Sequence, residues 1–300
     1  MDSNAKAFSH VYQKVCPLGY TFGSYITRSI ATTKNFTMIW DDINNIEKYT
    51  KQMDDVHTVY HLAASADISK SFHEPTMDLE NNVMGTSAVL ELMRKQDIKN
   101  LIFASSSSVY GETLTTPTPE SAENIKPISL YGASKLANEA FINSYCHLYG
   151  MKAWMFRFAN VVGRYMHRGV IFDFNTKLHK NPKQLLILGD GKQEKSFFDV
   201  DDCIEGMVHI SSLHKIKESD VFNLGNKNTI TVKQLADVVC DELHVKPKYI
   251  YSGGDRGWPG DTPYTILSIE KAFDIGWEPQ YNCEESIRRT VRYLNNGKET

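Results

Sequence analysis

The sequence predicts an α/β protein with a doubly wound parallel sheet. Three observations predict it. Strand-length apolar runs alternate with helical stretches through the first half of the chain, those runs are continuous rather than alternating, and 300 residues at 41% hydrophobic content suffice for one large unit or two lobes around a cleft. Strand-like segments at residues 56–62, 101–105 and 153–158 are separated by helical ones at 77–94 and 134–148, the rhythm of βαβ units. Leu101-Ile102-Phe103 reads as a buried strand of a parallel sheet. After Lys135, the residues Leu136, Ala137, Ala140, Phe141, Tyr145 and Leu148 recur at helical spacing up to a stop at Gly150. Beyond Gly163 the rhythm breaks into shorter pieces: a helix over 232–243, a strand at 249–251, and a last helix opened by Asn282 with Glu285 completing a capping box. No repeat, low-complexity tract or clean linker divides the chain.

Composition and charge narrow the function classes. A formal charge of -3 and a pI near 6.4 argue against a nucleic-acid or anionic-membrane surface, so any phosphate recognition is local. Cys16, Cys146, Cys203, Cys240 and Cys283 are an odd number without Cys-x-x-Cys spacing, which reads as reduced thiols and no zinc site. His147, His167 and His209 have no metal spacing with carboxylates or cysteines, and no metal is expected. No apolar stretch approaches the roughly 20 residues of a membrane-spanning helix, and the N-terminus lacks a secretory pattern. A cytoplasmic location is expected.

The chemistry is most constrained at Tyr131-Gly132-Ala133-Ser134-Lys135. Residues four apart share a helix face, which sets the ammonium of Lys135 beside the phenol of Tyr131. A free phenol has a pKa of about 10, and a neighbouring cation lowers it toward general acid/base work near neutrality. The spacing alone is common, and by itself it fits an exposed helical pair equally well. The flanks give it meaning: Ser106, in the block Ser105-Ser106-Ser107-Ser108, follows the apolar strand at its carboxyl end, where open α/β sheets bind ligands. Ser106, Tyr131 and Lys135 form the candidate catalytic triplet.

The order of landmarks resembles the extended short-chain dehydrogenase/reductases, specifically the NAD-dependent nucleotide-sugar epimerases. His61-Leu62-Ala63-Ala64 resembles the family's third nucleotide-side strand, Asn82-Val83-Met84-Gly85-Thr86 its cofactor-side helix, and Ser105 with the run to Val109-Tyr110-Gly111 its catalytic strand and loop. Phe156-Arg157-Phe158-Ala159-Asn160-Val161-Val162-Gly163 is similar to the segment that crosses into the sugar-nucleotide lobe. Gly189-Asp190-Gly191 and residues 197–202 look like the return to the sheet. Gly254-Asp255-Arg256-Gly257-Trp258-Pro259-Gly260-Asp261 looks like the nucleotide-binding turn of archaeal and bacterial UDP-glucose 4-epimerases. The match is nearly continuous over residues 41–294. It implies a Rossmann-like nucleotide-binding domain over 1–163, to which 199–213 returns, and a smaller α+β lobe, mainly 164–300, for a UDP-sugar.

The first forty residues depart from that pattern. Members begin with a strand running into Gly-x-x-Gly-x-x-Gly, whose glycines let the backbone approach the pyrophosphate. Here only Gly19 and Gly23 offer themselves, and Pro17 and Tyr20 obstruct a phosphate cradle. The family's Asp-Ile adenine contact fits Asp42-Ile43, a register that leaves no room for the second strand and its helix after the helix-like 24–33. An alternative makes 36–40 the second strand, with Asp41 binding the ribose. The N-terminal Rossmann unit is thus expected to be truncated.

By the resemblance, NAD is the cofactor. Leu62, Ala63, Ala64, Asn82, Ser105 and Phe158 join Tyr131 and Lys135 around it. Three groups are candidates for the nucleotide diphosphate. Arg256 presents a fork of donors, Lys195 stands where the family commonly has arginine, and Asn160 follows an apolar strand. The plainer alternatives are a solvated loop arginine for Arg256 and an Asx-turn cap for Asn160. Ser107 and Asp261 complete the substrate set. His61 reads as a strand-end histidine satisfied by backbone.

The implied reaction is reversible oxidation at C4 of a UDP-hexose. Tyr131 would take the 4-hydroxyl proton, Ser106 would hydrogen-bond that oxygen, and Lys135 would depress the phenol and touch the nicotinamide ribose. Sugar 4,6-dehydratases carry an Asp-Glu pair where this chain has Ser107-Ser108, which sets that reaction aside. Decarboxylases and reductases share the triplet and stay open, as does a sugar-nucleotide-binding protein with impaired NAD binding. A homodimer is expected by analogy, with Leu136, Phe141 and Tyr145 on the surface that would pair or in the core.

Overall fold

The computed structural model describes residues 11–13, 39–45, 48, 50–66 and 68–296. The expected glycine loop at Gly19 and Gly23, the helix-like stretch 24–33 and Cys16 lie outside the described residues.

A four-stranded parallel sheet carries the nucleotide-side half, in the spatial order Ser219–Leu224, Lys152–Phe158, Asn100–Ser106, Thr58–His61. Its strands are the three expected ones plus Ser219–Leu224, which comes from the part read as mainly substrate lobe. Alternate residues of each strand serve opposite faces. Leu101, Phe103, Ala153 and Met155 pack with Leu90, Met93, Ile142 and Cys146 of the helices Gly85–Lys95 and Leu130–Tyr149. Ile102, Trp154, Phe156 and Phe222 pack with Cys203, Met207 and Ile210 of the helix Val200–Leu213. Both faces are therefore covered by helices, which explains the continuous apolar runs and bears out the doubly wound class.

The outer edge of the sheet is met by side chains. Along Ser219–Leu224, the Asn223 amide donates to a Glu120 carboxylate oxygen at 2.8 Å and the Lys271 ammonium donates to the Val221 carbonyl at 2.8 Å. These contacts occupy backbone groups that another strand would otherwise pair with.

A separate strand pair, Val11–Gln13 with Ile39–Asp41, runs parallel. A strand does therefore end at Asp41, immediately before Asp42, which the preferred register, with its deleted second strand, does not require and the alternative does.

A separate apolar core forms in the C-terminal part of the chain. It includes Ile171, Phe174, Leu185, Leu235, Val239 and Ile287, drawn from the helices Val170–Lys180, Val232–Glu242 and Cys283–Asn296 and the strand Gln184–Ile187, which pairs in parallel with Lys248–Tyr251. The last helix opens as expected: the Asn282 amide donates to Glu285 at 2.9 Å and the Glu285 amide to Asn282 at 3.0 Å. Cys146, Cys203, Cys240 and Cys283 are free and buried. Among the described residues no helix is long and apolar enough to cross a membrane, and no group of three or more His, Cys, Asp or Glu is placed to hold a metal ion.

Candidate active site

The long helix begins four residues earlier than expected, at Leu130. Ser129 caps it, accepting the Gly132 amide at 3.0 Å, and Gly150 ends it with a φ of 62°. Tyr131 and Lys135 thus sit in its first two turns. The helix start lies against the turn after the central strand, so closely that a Cβ at Gly132 would come within 2.4 Å of the Ser108 carbonyl oxygen. Only glycine allows this approach. On the other side of that contact, Ser106 caps the short 3-10 turn Ser107–Val109, taking the Ser108 amide at 3.1 Å.

That abutment brings the triplet together. Tyr131 is 9% exposed, and its phenol lies within the influence of the Ser106 side chain, whose hydroxyl donates to Ser108 Oγ at 3.1 Å. Lys135 is 2% exposed; its ammonium donates to the Ala104 carbonyl at 2.6 Å and lies 4.8 Å from the centre of the Phe103 ring and 5.8 Å from that of Tyr131. The electrostatics differ from the expectation. Burial pushes the Tyr131 phenol up to about 12, against a lowering contribution from the Ser106 side chain; Asp78 raises it further and Arg168 lowers it. Lys135, aimed at the strand end, does not supply the expected depression. Burial in turn lowers the Lys135 ammonium to about 8, with Glu139 and Asp78 pushing it back up.

The residues expected around a dinucleotide separate into three sets. Leu62 is 51% exposed at the end of its strand, with Ala63 and Ala64 half-buried beside it. Phe158 is half-buried and stacked on Phe156. Asn82 is buried and engaged: its amide nitrogen reaches the Ser65 carbonyl, Asp78 and Ser134 at 3.1, 3.0 and 3.0 Å, and its oxygen takes the Ser65 amide at 2.7 Å. Ser105 is turned away, its hydroxyl donating to Glu139 at 2.5 Å. Near the N-terminus, Asp42 is exposed and bonded to Asn44, whereas Ile43 is 6% exposed and packs into the core with Leu90 and Ile98. Asp41 accepts from Asn45, Lys48 and the Asp42 amide, which hold its carboxyl at about 2.

On the substrate side, Ser107 and Arg256 line one cleft with Tyr110, Glu112 and Tyr264. Arg256 pairs with Glu112 at 2.9 Å and with its neighbour Asp255 at 3.2 Å. Lys195 is paired with Asp261, which also takes the Gly257 amide at 3.0 Å. Asn160 donates to the Ser196 carbonyl at 2.9 Å. Lys195 and Asn160 are neighbours, since Asn160–Val162 pairs with Phe197–Asp199. His61 is buried and meets the Thr86 hydroxyl at 2.9 Å, so a side chain rather than backbone satisfies it.

Sequence reasoning missed Glu139 and Arg157. Glu139 continues the face of Tyr131 and Lys135 by one more turn, a signal available from spacing. Its partner Arg157, on the neighbouring strand, had none.

The nicotinamide end of a dinucleotide fits this site on one observation. The buried Lys135 ammonium has three donors and spends one on Ala104, leaving donors for hydroxyl acceptors at the ends of the strands.

The profile of the NAD dependent epimerase/dehydratase family matches residues 19–225. A Methanocaldococcus jannaschii protein, assigned provisionally as a UDP-glucose 4-epimerase, is 34% identical over 82% of this chain and 79% of its own length. The solved UDP-glucose 4-epimerase of Thermotoga maritima with UDP-glucose superposes at a TM-score of 0.82, 26% identical, over 97% of this chain and 100% of that one. The UDP-glucuronic acid 4-epimerase of Bacillus cereus, solved with UDP-glucuronic acid and NAD, superposes at 0.81, 25% identical, over 91% and 86%. The matched residues include Ser106, Tyr131 and Lys135, and the chain belongs to the NAD-dependent epimerase/dehydratase family.

Proposed function

We propose that this protein is an NAD-dependent UDP-sugar 4-epimerase with UDP-glucose and UDP-galactose as its substrate pair. The observation that carries the reading is the buried Tyr131 phenol, under the influence of Ser106 at the strand end, with Lys135 on the same helix face. Bound NAD would supply hydride acceptance and return, which no side chain performs. Tyr131 and Lys135 would hold its nicotinamide-ribose end, and Leu62 to Ala64 and Phe158 would line its path.

The side chains divide the proton work. At neutral pH a phenol raised to about 12 is protonated, the form that donates to a 4-keto oxygen. Removing the 4-hydroxyl proton in the opposite half of the cycle requires the phenolate to be stabilised. The Ser106 hydroxyl is the group placed to do so, with the Arg168 charge adding a lowering effect, each pH unit of stabilisation being worth about 1.4 kcal/mol. Arg256, Lys195, Asn160 and Ser107 are proposed to bind the sugar nucleotide, with Asp261 holding Lys195.

Incubation with UDP-galactose, UDP-N-acetylglucosamine and UDP-glucuronate in separate reactions, with products identified by NMR, tests the reading. Interconversion of UDP-galactose and UDP-glucose is the expected result. Loss of carbon dioxide or net reduction would replace it with a decarboxylase or reductase, and absence of any product together with failure to retain NAD would leave a binding protein.

A homodimer is proposed through the long helix and the one before it. Phe141 and Leu148 are 47% and 67% exposed on the first and Met84 58% exposed on the turn leading into the second. Leu136 and Tyr145, by contrast, pack inward. A monomer mass in light scattering at micromolar concentration would refute it.

A further inference from the structure

Tyr131, Lys135 and Glu139 follow one another at four-residue intervals on one face of Leu130–Tyr149. Glu139 is 3% exposed and fully gripped. Ser105 donates to its Oε1 at 2.5 Å, and Arg157 closes a fork on both oxygens, Nε to Oε1 at 3.0 Å and Nη2 to Oε2 at 2.6 Å. Arg157 is 5% exposed and lies 4.7 Å from the centre of the Tyr110 ring, whose hydroxyl donates to Asn223 at 2.7 Å. The cluster joins the long helix to three adjacent strands beneath the site.

A pair so completely removed from water is not explained by stability. Desolvation costs several kcal/mol per ion, and apolar residues of similar volume are often as stable. What apolar residues would not provide is a fixed negative charge one turn from Lys135. The charged and titratable groups facing Lys135 are Tyr131 and Glu139 on its own helix, Asp78 before the turn Leu79–Met84, and His61 from the strand Thr58–His61. Of these, Glu139 is the carboxylate that acts on Lys135 most strongly.

We propose that Glu139 is a positioning residue: gripped by Arg157 and Ser105, it supplies the fixed charge that keeps the Lys135 side chain an ammonium and seats it on the strand end. This rests on the reading of Tyr131 and Lys135 as the acid-base couple. Arg157 fixes Glu139 in its forked geometry, and Ser105, next to Ser106, ties it to the catalytic strand.

The test is the titration of Lys135 itself, followed by NMR of the full chain labelled at lysine Cε, with the Lys135 signal assigned by its loss in Lys135→Met. The wild-type midpoint is expected near 8. Glu139→Gln keeps the size and removes the charge, and should lower the midpoint by about one pH unit or more. Should that variant fail to fold because Arg157 is left buried and unpaired, the double variant Glu139→Gln/Arg157→Met removes both charges. Its midpoint also falls, by less, because the repelling guanidinium is gone. Glu139→Asp, which keeps the charge, should return the midpoint toward wild type. A midpoint unmoved in both charge-removing variants overturns the proposal. The titration requires no turnover, so a shifted midpoint in a protein without epimerase activity would sink the functional reading and leave this inference standing, while active enzyme with an unmoved midpoint would do the reverse.

Discussion

The Lys135 ammonium donates to the Ala104 carbonyl at 2.6 Å, which pins the helix carrying Tyr131 to the strand carrying Ser106. The helix touches again just past that strand, where Gly132 meets the Ser108 carbonyl in the turn that follows. Two contacts a turn apart fix both the distance and the rotation of the helix, so the phenol reaches Ser106 without depending on a loop.

Removing the phenol oxygen should therefore be a chemical change and little else. Tyr131→Phe is expected to lower kcat by roughly 10²- to 10⁴-fold, the range for a lost general acid/base, with circular dichroism and thermal midpoint unchanged. Ser106→Ala, which removes a hydroxyl that would steady the same oxygen, should cost less, roughly 10- to 100-fold. Equal losses in the two variants would argue that Tyr131 does not carry the proton.

Lys135 links function to a stability cost. Its ammonium titrates near 8 in the folded chain against 10.5 as a free side chain. Between those values the unfolded chain binds more protons, so stability rises with pH through that window, and the penalty is present in full below about 8. Lys135→Met removes the charge and is expected to melt several degrees higher at neutral pH while losing turnover, with part of the gain offset by the Ala104 carbonyl losing its donor. The advantage over wild type should shrink as pH rises from about 8 toward 10.5. An advantage constant across that range would mean that packing, not charge, caused it.

The placement of the candidate triplet was legible in the sequence because each signal is local. An apolar run without a polar face gives a buried strand, a serine at its end gives a ligand-facing position, and a four-residue spacing gives a shared helix face. The electrostatics were not legible. Spacing placed a cation near the phenol but could not show that Lys135 bends to Ala104, nor that burial outweighs every charge around Tyr131. Ser105 shows the same limit: the resemblance placed it at the cofactor, whereas the alternation of a strand turns its hydroxyl to Glu139. The edge strand Ser219–Leu224 was missed as a strand because Ser219 and Asp220 open it with polar residues, and its partner Lys152–Phe158 lies far away in sequence.

Arg256 tests the substrate side. In the cleft it is partnered by Glu112 and Asp255 on exposed positions, where ion pairs are weak enough for a diphosphate to displace them. Arg256→Ala is expected to weaken UDP binding by roughly tenfold or more. Glu112→Gln frees the guanidinium and should tighten UDP up to about fivefold, with the gain shrinking as salt is added. If calorimetry shows Arg256→Ala binding UDP as wild type does, the arginine serves only to close the loop onto Glu112.

His61 sets the acid limit of this half of the fold. Burial, with a smaller contribution from the Lys135 charge, lowers its imidazole to about 3 from 6.5, so it stays neutral against Thr86 in the folded chain. As pH falls below about 6.5 the unfolded chain gains a proton that the folded chain does not, and stability is lost progressively down to about 3. The paired substitution His61→Phe with Thr86→Val removes both hydrogen-bonding groups and keeps a ring to pack on Phe103. Relative to its own value at pH 7, the variant should retain about 2 kcal/mol more stability than wild type at about pH 5. Chemical denaturation at those two pH values measures it, and parallel losses in the two proteins would place the acid sensitivity on a group other than His61.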